Sequence, residues 1–179
     1  NSKKFDSLNS QNIKKLVKNF FYDSYLMDQF SCNSPHFVFW IGELDSNKKR
    51  KFWKNLNEFA KKRYLLNEKN SITKFTNIVE NIFEEKNLKK IQMLHSNLYV
   101  VEVDNDLKKI ENIRGFYGTF FQKTLKKIEN LREHISKKCQ TVTYFGFKKK
   151  DIENFLIKNN LFGIDRIVPV GNGMDIDTI

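Results

Sequence analysis

A chain of 179 residues is long enough for one domain with a proper core and short for two. Hydrophobic residues at 40%, with 17 Phe against only 2 Pro and 7 Gly, exclude a disordered or a fibrous protein. The net charge of +11 comes mostly from Lys dispersed among Asn, Ile and Phe, a pattern that fits a coding bias better than a nucleic-acid footprint, because no recognisable nucleic-acid module accompanies it. Only two cysteines occur, Cys32 and Cys139, so a disulfide scaffold is excluded. Neither a signal peptide nor an apolar run of bilayer length is visible, which makes the cytoplasm the expected compartment and a membrane span unexpected. The chain starts at Asn1 without Met and stops at Ile179, and reads as an internal piece of a longer protein.

Ser10 caps a first expected helix, with Ile13, Leu16, Val17, Phe20 and Phe21 on one face. Asp28 to Pro35 is a polar break that contains Cys32, and His36 to Ile41 is a short apolar run that reads as a buried strand ended by Gly42. Ser46 to Arg63 carries Phe52, Trp53, Leu56, Phe59 and Ala60 on one helical stripe. Ser71 to Lys86 repeats that logic with Ile72, Phe75, Val79, Ile82 and Phe83. Strands are expected at Asn97 to Val103 and Gly115 to Phe121, then a helix using Leu125, Ile128, Leu131 and Ile135. Gln140 to Phe147 reads as a strand, Ile152, Phe155 and Leu156 mark a helix, and Arg166 to Val170 is a last strand. Alternation of strands with amphipathic helices predicts a three-layer αβα sandwich with a mostly parallel sheet.

The chemistry is concentrated in Asp28-Gln29-Phe30-Ser31-Cys32-Asn33-Ser34-Pro35-His36. A cysteine in a polar loop between a helix and an apolar strand is poorly placed for packing. It stays open to substrate, and nearby backbone N–H groups favour a thiolate that attacks thioester or aldehyde carbon. The bland alternative is a half-buried thiol with no role. His36, four residues on, is a candidate neighbour for the thiol, although on a strand its ring can equally point elsewhere. Cys139 reads as incidental, and His95 and His134 as surface or core residues. No Cys/His spacing suits zinc, and no G-x-G-x-x-G or Walker A pattern occurs.

Three segments, in order, carry a family resemblance. Ser31-Cys32-Asn33-Ser34-Pro35-His36 resembles the Cys-Ser-Ser-Pro or Cys-Thr-Ser-Pro segment of the fatty acyl-CoA reductases that supply aldehyde to bacterial luciferase, members of the aldehyde dehydrogenase superfamily. Gln140-Thr141-Val142 is similar to that family's Gln-Thr-Val strand opening. Asp165-Arg166-Ile167-Val168-Pro169-Val170-Gly171, followed by Met174-Asp175-Ile176-Asp177, resembles its C-terminal signature. Together they span most of the chain.

The resemblance implies an aldehyde dehydrogenase-like catalytic domain over residues 1–179, with the cofactor-binding domain mostly absent from this chain. It implies that Cys32 takes an acyl group from a long-chain acyl-CoA or acyl-protein thioester, and that reduced NADP then releases a fatty aldehyde. Acyl-transferring partner enzymes and a homo-oligomer are implied with it. Cofactor contacts would fall at Gly115, Gly118 and Thr141, although Arg114 and Gly115 stand where the family's ribose-binding acidic residue is expected. Two readings of other classes compete: a basic nucleic-acid-binding module, resting on the charge and the aromatics, and a catalytically silent dimerisation module.

Overall fold

The computed structural model describes residues 1–84, 88–104 and 110–175, the Asn112 side chain excepted. A short helix α1 (Ser2–Asp6) precedes α2 (Ser10–Tyr25), whose first turn is capped by the Asn9 side chain accepting from the Asn12 amide at 2.8 Å. Then come β1 (Phe37–Ile41), α3 (Ser46–Arg63), α4 (Glu68–Glu84), β2 (Leu88–His95), β3 (Leu98–Val103) and β4 (Thr119–Leu125). A 3-10 stretch (Ile128–Glu133) leads to β5 (Thr141–Tyr144), α5 (Lys149–Lys158) and β6 (Arg166–Pro169).

The fold is mixed α/β. A four-stranded sheet runs in the order β1-β4-β3-β2, with β1 and β3 both parallel to β4 and only the edge strand β2 antiparallel. The sequence suggests one sheet, but β5 and β6 instead pair with each other, in parallel, as a separate two-stranded sheet.

Alternation along the strands divides the core. Val38, Trp40, Val100 and Phe120 pack with α2 and α3 on one face of the large sheet, around Phe20, Phe52 and Trp53. Phe37, Val101, Val103 and Phe121 point to the other face and meet Ile78 of α4 and Ile113. The small sheet has its own core, Ile152, Phe155 and Leu156 of α5 against Leu131, Ile135 and Ile167.

Four single elements also depart from the sequence reading. The strand expected at Gly115 to Phe121 starts at Thr119 and runs to Leu125, because Gly115 to Gly118 is consumed by a turn in which Tyr117 and Gly118 have φ of 55° and 82°. The helix expected around Leu125 to Ile135 reduces to the 3-10 stretch, with Leu125 closing β4 against Ile41. Strand β2 goes unnoticed in the sequence, since an edge strand half-faced by solvent lacks a continuous apolar run.

The fourth concerns α4. It starts at Glu68 and is described to Glu84, so Glu85 and Lys86 of the expected helix lie outside the described residues. Of its expected apolar stripe only Val79 packs on the core: Ile72, Phe75, Ile82 and Phe83 are exposed, whereas Lys74, Ile78 and Asn81 are buried. The cause is Lys74. The residue is 1% exposed, and its Nζ donates to the carbonyls of Ser96 at 2.8 Å, Tyr117 at 2.9 Å and Gly118 at 3.4 Å, and lies 4.0 Å from the Tyr99 ring centroid. This amine meets carbonyls of two turns, of which that of Gly118 also accepts from the Tyr99 amide at 2.9 Å, and the need to reach them sets the roll of the helix.

Candidate functional site around Cys32

The loop after α2 is built by a side chain the sequence reading passed over. Asp28 and Gln29 both adopt left-handed backbone, with φ of 53° and 63°, an uncommon state for residues with a Cβ. Gln29 is fully buried and uses its whole amide: Nε2 donates to the carbonyls of Pro35 and Thr119, both at 3.0 Å, and Oε1 accepts from the amides of Gly118 at 2.7 Å and Thr119 at 3.0 Å. The Asp28 carboxylate accepts from the Tyr64 hydroxyl, and the Asp28 carbonyl from the Tyr117 amide at 3.2 Å. Phe30 stacks on Phe116 with centroids 4.6 Å apart, and the Arg114 guanidinium donates to the Phe30 carbonyl at 3.2 Å. The cysteine loop is thus fastened to the turn that opens β4. Lys74 caps that same turn from the far side.

Cys32 is exposed, and it stands on the rim of a cavity of about 500 Å³. The apolar lining of this cavity includes Phe37 and Phe39 of β1, Phe5, Phe20 and Phe52 from the helical face of the large sheet, and Leu131, Ile135, Phe155 and Leu156 of the small-sheet unit. Near the thiol its wall turns polar, with Asn33, Ser34, His36, Arg114 and Thr141. A thiol at the edge of a largely apolar cleft can carry a group whose tail occupies the cleft. The Cys32 Sγ donates to Asn33 Oδ1 at 3.6 Å, and the Thr141 hydroxyl donates to the same oxygen at 3.1 Å.

His36 Nδ1 lies 2.8 Å from the Gly115 carbonyl, so that nitrogen carries the proton, since a carbonyl only accepts. Its Nε2 is buried and meets no hydrogen-bond partner among the described residues. Burial first, and then the Arg114 charge, push the imidazole down to about 4, which keeps it neutral at physiological pH.

Of the residues singled out in the sequence, Cys32 and Thr141 are brought together on the cavity wall. Gly115 and Gly118 are placed behind it. A Cβ at Gly115 would sit 2.1 Å from the Thr119 carbonyl oxygen, and one at Gly118 would sit 2.2 Å from that of Asn97 and 2.6 Å from the Tyr25 hydroxyl. The space beside both glycines is filled by the chain itself, and of the three expected contacts Thr141 is the one that lines the cavity. Cys139 also lines the cavity, with its sulfur 4.0 Å from the His134 carbonyl. His134 stacks on Phe39 and His95 is at the surface beside Ser96. Among the described residues, no group of three His, Cys, Asp or Glu side chains converges as metal ligands would.

The C-terminal signature has a structural task. Buried Asp23 on α2 accepts from the amides of Gly171 at 2.7 Å and Gly173 at 2.9 Å, while Arg166 donates to the carbonyls of Asn172 and Gly173. A Cβ at Gly171, where φ is 105°, would meet the Asn19 amide nitrogen at 2.6 Å. The segment after β6 is thereby bound to the helix that delivers the cysteine loop. Ile176 and Asp177, the end of the signature, lie outside the described residues. Comparisons with protein-family models and with curated proteins find no match for this chain.

Proposed function

We propose that this chain is the acyl-accepting part of an NADP-dependent fatty acyl-CoA reductase with an aldehyde dehydrogenase-like fold, Cys32 being the acyl carrier. One observation carries the reading. The three segments that share the family resemblance, far apart in sequence, contribute Cys32 to Trp40, Gln140 to Val142, and Val170 to the wall of a single cavity. Its apolar depth suits an alkyl chain, and its polar rim suits a thioester.

In this reading the Cys32 sulfur attacks the thioester carbonyl, a new C–S bond forms, and the CoA sulfur leaves with the proton the Cys32 thiol has given up. The chain's own residues hold the loop rigid through Gln29 and exclude water from the alkyl tail with Phe37, Phe39 and Phe155. Reduced NADP, when bound, supplies the hydride that turns the acyl group into aldehyde.

The test is chemical. Incubation of the protein with a labelled long-chain acyl-CoA is expected to leave one acyl group on Cys32, mapped by peptide mass, and to leave none in Cys32→Ser. Acylation of Cys139, or no thiol-linked adduct at all, contradicts the assignment.

A further inference from the structure

The Asn33–Thr141 contact joins the two sheets beside the reactive sulfur. Thr141 opens β5 of the small sheet, whereas Asn33 belongs to the loop fastened to the large one. Asn33 Oδ1 receives both the Thr141 hydroxyl and the Cys32 thiol, so the three side chains are joined through one oxygen in the cavity lining.

We propose that Asn33 and Thr141 are positioning residues for Cys32, forming a pair that can serve the sulfur in both of its protonation states. An amide has an accepting and a donating pole. With the thiol protonated, Oδ1 accepts from S–H and from the Thr141 O–H, as observed. When sulfur releases its proton to solvent, it can only accept. A half-turn of the Asn33 amide then presents Nδ2, whose two hydrogens reach the sulfur anion and the Thr141 oxygen. The hydroxyl changes from donor to acceptor by rotating, so no partner is lost on either side. A hydrophobic residue at 141 removes the anchor, and a carboxylate at 33 cannot donate at all. The inference rests on Cys32 being the nucleophile of the proposed reaction, but it concerns the sulfur's reactivity and is measured without acyl-CoA.

The experiment follows iodoacetamide alkylation of Cys32 against pH, by intact mass, in a Cys139→Ala background that leaves a single thiol. Asn33→Ala is expected to slow alkylation about three- to tenfold near neutral pH, as loss of an ordinary hydrogen bond at an exposed sulfur implies, and to rejoin the parent at the high-pH plateau. Thr141→Val should shift the profile the same way by less, Asn33→Asp by more, and Thr141→Ser should stay within about twofold of the parent because it keeps the hydroxyl. Profiles for Asn33→Ala and Thr141→Val that superimpose on the parent overturn the proposal. So does a uniform change at all pH values, which signals altered access, and so does Thr141→Ser behaving as Thr141→Val. If these shifts appear while acyl-CoA leaves no adduct, the reductase reading fails and the positioning pair stands; an adduct without the shifts means the reverse.

Discussion

His36 shows how burial sets a titration. The folded protein holds the imidazole neutral down to about pH 4, whereas an unfolded chain protonates it near its ordinary value of 6.5. The unfolded state therefore binds more protons between those values. The stability that His36 contributes is complete above about pH 6.5 and is lost as pH falls towards 4. Chemical denaturation across that window should show the decline, and His36→Asn, whose amide can still donate to the Gly115 carbonyl, should flatten it. An unchanged slope in the variant would mean that other groups govern acid sensitivity. The exposure of Cys32 was legible in the sequence from the polarity of its loop. Gln29 and Asn33 were not, because a Gln or an Asn in a polar loop carries no periodicity, and only folding reveals that the Gln29 amide bonds four backbone groups at once.

At the scale of elements, α2, α3 and α5 follow their apolar spacing, as do β1 and β3, whose faces are covered on both sides. Helix α4 does not, since an amphipathic pattern states which face is apolar but not whether this chain covers it. Phe83, at 81% exposure, should accept Phe83→Glu within about 0.5 kcal/mol of stability, a value that a thermal melt can check. Had the stripe been core, the loss would be about 3–5 kcal/mol, the usual result of emptying a buried Phe site. Lys74 should behave in the opposite manner. Burial lowers its amine from the ordinary 10.5 to about 7, so the unfolded chain holds the extra proton between those values and stability rises with pH across that interval. Lys74→Met should reduce this rise, read as the difference between the two denaturation series from pH 7 to pH 10. A slope equal to that of the parent would place the charge change on other lysines.

For the whole molecule, the mixed α/β class was readable from the alternation of helices and strands, but the division into two sheets was not. That division depends on which strand edges meet, and short runs such as Thr141–Tyr144 and Arg166–Pro169 look alike whichever sheet they join. The Asp23 carboxylate, which burial pushes above its usual range, is a principal tie between the units. Asp23→Ala strands two amides and should cost about 2–3 kcal/mol, with hydrogen-exchange protection falling first in β5 and β6. Loss spread evenly over both sheets would show that they unfold as one.

The Cys32 sulfur rides on one plate of the protein, while part of the lining of its cleft belongs to another, and a few side-chain contacts span the gap between them. A small tilt between the plates would therefore alter the width available to an occupant while the loop that aims the sulfur keeps its own fastening, like a vice in which only one jaw holds the tool.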